Sequence, residues 1–298
     1  AEAIVVAEAQ TPPAPIVELS IILVVMMYSV FNVGQDASGV GLFHYVIGFA
    51  TPFRMPEFFL ISGLFLDQVL ARTWRSYADR RVVHYLYFYA IWAVIHIVLK
   101  IGILSASPKE AAVDLLYAVV EPYGVLWFIY LLAAFSVVTK LMYDLKAPKW
   151  AVWAFGAAFQ MAHIQTGSYL VDQFCAYFVY FYSGYIFAPL IFKMVGYAAA
   201  NKRTALLGLA LYALVNVLLV FSPGYAVLPN EIQLGYAGLP GLRLTLAIAG
   251  ALALCTTSGL ITGLRFTHGL TWLGEHSIVV YLVFVGPMYV IRIALRRM

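Results

Sequence analysis

Hydrophobic residues fall in long runs along most of the chain, and the polar ones gather into short stretches between them. Crossing a hydrocarbon core of about 30 Å takes about 20 helical residues. About nine runs qualify: 16–33, 56–71, 82–104, 123–143, 149–164, 169–192, 204–222, 239–262 and 276–295, the second and fifth being short. Each is read as a helix, because a lipid-exposed segment must satisfy its own backbone hydrogen bonds and no series of alternating ten-residue strands suggests a barrel. The pattern predicts an all-α, polytopic membrane bundle over 16–298. An acidic, proline-bearing tail precedes it over 1–15, without the basic start and apolar core of a cleavable signal.

Composition agrees with a bilayer as the solvent: 63% of the 298 residues are hydrophobic and 11% charged, against about 25% charged in a soluble domain. The 18 basic and 14 acidic residues give a net charge of +4, spread between apolar runs with no basic face for nucleic acid. Their placement orients the chain, since cytoplasmic loops carry the Lys/Arg excess. With the N-terminus inside, the inner loops hold Arg72, Arg75, Arg80, Arg81, Lys146, Lys149, Lys193, Lys202, Arg203 and Arg265, and the outer loops only Arg54, Lys100, Lys109 and Arg243. Nine spans would put Arg292, Arg296 and Arg297 outside, so either a further span is missing or a short one is re-entrant. In one outer loop, Ser107-Pro108-Lys109-Glu110 has capping-box spacing ahead of Ala111, Val113, Leu115, Leu116, Val119 and Val120. It predicts a short amphipathic helix at the outer interface, with a plain linker as the alternative. Cys175 and Cys255 lie in apolar runs and form no disulfide or metal pattern.

Ionisable groups at membrane depth are costly, so each is a candidate for function. The densest run, Phe43 to Asp67, holds His44, Arg54, Glu57, Ser62 and Asp67 and is broken by Pro52 and Pro56. The prolines predict a backbone that folds back before the second span. Arg54 and Glu57, three apart, form either a salt bridge that pins this turn or a pair facing substrate at the outer mouth of a cavity. On the inner side Arg72 and Arg75 flank Trp74. Two guanidinium groups three apart on one helical face can grip a phosphate, with the indole as stacking platform; an ordinary positive-inside cluster is the alternative. The six histidines, His44, His84, His96, His163, His268 and His276, offer possible bases, although a lone membrane histidine more often serves as an interhelical hydrogen-bond partner; no metal site is expected. There is no HExxH, GxSxG, P-loop or GxGxxG context.

Several runs together resemble one family. They are Ile21 to Met27, Pro52-Phe53-Arg54-Met55-Pro56-Glu57-Phe58-Phe59-Leu60-Ile61-Ser62-Gly63, Leu126-Trp127-Phe128, Val179-Tyr180-Phe181-Tyr182-Ser183-Gly184-Tyr185 and Leu273 to Leu282. The chain resembles the acyltransferase-3 group of bacterial inner-membrane proteins along nearly its whole length. That resemblance implies about ten spans, acyl-CoA as co-substrate from the cytoplasmic side, and transfer of its acyl group to a carbohydrate hydroxyl near the outer side. The family's Arg-x-x-Arg pair falls on Arg72 and Arg75, with Trp74 between, as an acyl-CoA phosphate site.

The family also carries a basic residue and, eleven positions later, a histidine around the first span; here these positions are Val17 and Tyr28. Valine holds no charge, and a phenol with pKa about 10 is a poor base at neutral pH. His44 is therefore the expected stand-in base, with Arg54 and Glu57 orienting the acceptor. The alternative is a degenerate, C-terminally short member serving as accessory subunit of a larger membrane complex, with lipids and other membrane subunits as partners. A transporter is disfavoured, because no pair of broken helices recurs in repeated halves.

Overall fold

The computed structural model of the chain describes residues 15–37, 39–104, 108–229 and 231–261. In order, it forms α1 (Pro15–Ala37), α2 (Leu42–Ala50), α3 (Arg54–Leu64), α4 (Asp67–Leu70), α5 (Trp74–Ala78), α6 (His84–Leu104), α7 (Pro108–Tyr117), α8 (Trp127–Asp144), α9 (Lys149–Ala162), α10 (Tyr169–Ala200), α11 (Lys202–Val220) and α12 (Pro240–Ile261). Among the described residues five segments are long and apolar enough to cross a membrane: Trp74–Val98, Gly124–Asp144, Tyr169–Ala200, Lys202–Val220 and Pro240–Ile261. The protein is an all-α, multi-pass membrane protein. The described residues form two compact units, one of residues up to Phe58 and from Phe187 on, the other Phe59–Ile186.

The differences from the hydropathy reading have local causes. The run 56–71 is not one helix: α3 has 11 residues and α4 has 4, and 11 residues rise only about 16 Å. The third span starts at Trp74, eight residues early, because a π-helical turn at Asp79–Val83 joins α5 to α6. Arg75, Arg80 and Arg81 are therefore helical, not in a loop. Helix α9 has 14 residues and ends at His163 in the left-handed conformation, φ 46°, while α10 runs on to 32 residues through Pro189. The short helix expected after Ser107 forms as α7, with Val113, Leu116 and Tyr117 exposed; Ser107, which the spacing casts as its cap, lies outside the described residues. So do the tail up to residue 14, the span 276–295, His268, His276, Arg265 and the C-terminal arginines. A hairpin between α11 and α12 was not expected: β1 (Ala226–Leu228) pairs antiparallel with β2 (Glu231–Gln233), Leu228 opposite Glu231. Its signal was Pro229-Asn230 between two short runs.

In the first unit the prolines interrupt the helix as expected, and the interruption at 51–53 is a hydrogen-bonded turn. Pro52 has no N–H to give, so bonding tightens from i−4 to i−3. The N–H of Thr51 goes to Gly48 O (3.3 Å) and that of Phe53 to Ala50 O (3.1 Å). This leaves the Ile47 and Phe49 carbonyls without their usual partners. Thr51 Oγ1 donates to the first (2.7 Å), and Nδ2 of the fully buried Asn216, from α11, donates to the second (2.8 Å). The ladder resumes with Glu57 N–H to Phe53 O (3.0 Å). Pro56 sits in the first turn of α3, where its missing N–H is not needed.

In the second unit α3 and α10 meet backbone to backbone through two Ser-Gly steps. A Cβ on Gly63 would overlap the Phe181 carbonyl, and one on Gly184 would overlap the Leu60 carbonyl; the Gly63 Cα lies 3.1 Å from where the Gly184 Cβ would be. Small residues permit such approaches between membrane helices, where dispersion and weak Cα–H···O contacts replace the hydrophobic effect as the source of adhesion. Rings fill the space around them. Buried Phe59 packs on Phe128 (4.8 Å between centroids), Phe135 (5.1 Å) and Tyr177 (5.2 Å).

Two substitutions test these readings. Gly184→Val drives a side chain into backbone that cannot yield, and should destabilise the protein by about 3 kcal/mol or more. Asn216→Ala leaves a carbonyl unsatisfied in an apolar setting and should cost about 1–3 kcal/mol. Thermal unfolding of the purified protein in detergent measures both; an unchanged midpoint in either would contradict the packing described.

Candidate functional site

The six expected site residues divide between the units: Arg72, Trp74 and Arg75 in the second, His44, Arg54 and Glu57 in the first. In the second unit they depend on a residue the sequence reading passed over. Lys140, in the last turns of α8, is 4% exposed. Its Nζ donates to the Leu70 carbonyl at 2.9 Å and pairs with Asp144 Oδ1 at 2.7 Å. It also lies over the rings of Trp74 (5.7 Å) and Tyr143 (5.3 Å), within the reach of cation–π attraction. Leu70 ends α4, so Lys140 fixes the turn from which Arg72 projects. The available signal was a lysine inside an apolar span with an aspartate four residues on.

Helix α5 begins at Trp74, after Thr73 in an extended conformation. Arg72 therefore lies ahead of the helix and Arg75 in its first turn, so the two do not share a helical face as the spacing suggested. Both are exposed, as is Trp74. Behind them Tyr77 is fully buried and donates to the Ser136 carbonyl at 2.8 Å. Arg81 faces inward: its Nη2 donates to the Phe65 carbonyl at 3.3 Å and its Nη1 to Tyr85 Oη at 3.3 Å. The turn thus offers two solvent-facing guanidinium groups and an indole on a rigid base, a combination suited to a phosphate carrying a planar group.

In the first unit His44 is 3% exposed and both its ring nitrogens are engaged. Nδ1 accepts the Gly41 N–H at 3.1 Å, capping the start of α2. The ring proton is then on Nε2, which donates to the Pro229 carbonyl at 3.3 Å, in the hairpin turn. Gly34 makes room for this contact; a Cβ there would come within 2.7 Å of the Pro229 oxygen and 2.9 Å of Nε2. His44 also meets the Phe31 ring at 6.1 Å. None of these contacts is to Arg54 or Glu57.

Glu57 is fully buried one turn beyond Arg54 on α3. Tyr212 of α11 and Cys255 of α12 lie close enough to feel its charge. Gly250 lets Phe53 and the Tyr212 hydroxyl approach α12, where Tyr212 donates to the Leu246 carbonyl at 3.4 Å. Tyr225, beside the hairpin, has a buried hydroxyl without a hydrogen-bond partner. Burial pushes its phenol above the usual value and neighbouring Tyr45 pushes the same way, so it stays neutral and supplies no base. Among the described residues no group of three His, Cys, Asp or Glu side chains could hold a metal ion.

The role of His44 is separable by substitution. His44→Ala should lower stability by about 1–3 kcal/mol, because the Gly41 N–H and Pro229 carbonyl lose their partner. His44→Gln, which can still donate to Pro229, should recover part of that loss. Unchanged unfolding midpoints in both variants would show that His44 does not hold the hairpin.

Neither the curated proteins nor the solved structures include a match to this chain. The acyltransferase-3 family model, described as an acyltransferase domain, matches residues 19–297. That match takes in the proline-framed run through Gly63, the Ser183-Gly184 step that packs against it, and the Arg72–Arg75 turn, and the chain belongs to the acyltransferase-3 family.

Proposed function

We propose that this membrane acyltransferase-family protein takes an acyl group from acyl-CoA and transfers it to a hydroxyl of a carbohydrate-type acceptor, in a bacterial inner membrane. The observation that carries the donor half is the exposed Arg72–Trp74–Arg75 turn held in place by buried Lys140. Its side chains match the phosphates and the base of a coenzyme, and the positive-inside pattern supports a cytoplasmic position for the turn, where acyl-CoA is found. On the acceptor side the buried carboxylate of Glu57, with Arg54 one turn before it, is the pair to orient the hydroxyl and accept its proton. The hydroxyl oxygen forms the ester as the thioester C–S bond breaks, and the thiol leaves with the proton. His44 serves to anchor the hairpin, since use as a base would require Nδ1 to release the Gly41 N–H.

A second reading, an accessory subunit without chemistry, is favoured by two observations. Val17 and Tyr28 stand where the resemblance implies a basic residue and a histidine, and both nitrogens of His44 are committed to backbone groups. Purified protein given labelled acetyl-CoA and sugar acceptors separates the two. The enzyme reading expects label on the sugar, and Arg72→Ala/Arg75→Ala should raise KM for acetyl-CoA at least about tenfold with little change in kcat. No transfer, together with stoichiometric membrane partners after gentle extraction, would establish the subunit reading.

A further inference from the structure

The second unit holds a cavity of about 420 Å³ where α8 ends and α9 begins, and nothing in the donor turn accounts for it. Thr139 lines it; this side chain is 1% exposed and its hydroxyl has no hydrogen-bond partner. Tyr182 and Tyr185, both buried, wall it from α10. Lys146 and Lys149, both exposed, also line it. The acid lining it, Asp144, is already paired with Lys140 at 2.7 Å, so the two lysines leave the cavity positive.

The backbone at the rim is equally specific. Helix α8 closes in a Schellman motif, with Ala147 N–H to Met142 O and Lys146 N–H to Tyr143 O, both 3.0 Å. Lys146 takes the left-handed position of that motif at φ 53°, where glycine is the favoured residue. Lys149 holds its ammonium 4.7 Å from the Tyr185 ring. It also begins α9 after Pro148, with no side-chain cap on that helix start. An unsatisfied buried hydroxyl, two lysines three apart, a lysine in a glycine's conformation and an uncapped helix start are each unfavourable in isolation. An anion with several acceptor oxygens answers the hydroxyl, the two lysine charges and the helix start together, while the left-handed backbone fixes where Lys146 leaves the chain.

We propose that this cavity is a binding site for a phosphate ester, with Lys146 and Lys149 taking its charge and the Thr139 hydroxyl donating to one oxygen. Two sources share that chemistry: a phosphoryl group of coenzyme A, and the phosphodiester of an anionic phospholipid. The site does not rest on acyl transfer, since it is read by binding alone.

The test uses the full chain in detergent, with CoA titrated by calorimetry, and native mass spectrometry of protein released from nanodiscs of equal phosphatidylglycerol and phosphatidylcholine. Lys146→Gly suits the left-handed position and should fold at least as well as the parent; Thr139→Val keeps the shape of the buried side chain. If CoA is the source, its affinity should fall about tenfold for Lys146→Gly, about tenfold again on adding Lys149→Ala, and measurably for Thr139→Val. If a lipid is the source, the parent should retain phosphatidylglycerol over phosphatidylcholine, and the double lysine variant should lose that preference while CoA binding is unmoved. Folded variants that bind both probes as the parent does, or a parent that binds neither, would overturn the proposal. Loss of acyl transfer with these binding results intact would count against the enzymatic reading and leave this site standing.

Discussion

Inside a bilayer no water is present to satisfy a free backbone carbonyl, and the chain is organised around that constraint. At three interruptions among the described residues, a polar side chain from another element meets a carbonyl near the break. Asn216 takes Phe49 at the proline turn, Arg81 takes Phe65 after α3, and Lys140 takes Leu70 after α4. The last two are cations, so satisfying the backbone also concentrates positive charge at the end of the second unit where Arg72, Arg75, Lys146 and Lys149 emerge. Buried and exposed charges are therefore linked: removing Lys140 would release the turn that carries the two exposed arginines.

The second organising contact is the reciprocal approach of Gly63 and Gly184. Both glycines belong to runs that carry the family resemblance, and both are required by backbone proximity rather than by chemistry. This explains why family membership specifies the scaffold more firmly than the reaction. The run through Gly63 and the Ser183-Gly184 step, which both fall within the residues matched to the family, hold α3 against α10, and that contact is a matter of packing.

What could be read from sequence follows the same division. Hydropathy located the long spans at 123–143, 204–222 and 239–262 to within a few residues, because burial in lipid requires continuous apolar composition. It failed at 56–71, where composition is apolar but the hydrogen-bond ladder breaks, and at Trp74, where a π-turn carries three charged residues into a helix. The contact of His44 with the Pro229 carbonyl spans 185 residues, so no local pattern announces it. Lys140 was absorbed into a span, although a lysine at that depth paired with Asp144 was the clearest local signal available. Each miss concerns where a backbone group finds its partner, which hydropathy does not encode.

If a coenzyme's phosphates are held at the Lys140-anchored end of the second unit, hydrogen–deuterium exchange of the detergent-purified chain should register it directly. Adding CoA should slow exchange across 71–78 and 143–149, and leave Leu42–Ala50 and the hairpin strands unchanged. Exchange slowed at Leu42–Ala50 and the hairpin, with no change at 71–78 or 143–149, would contradict it.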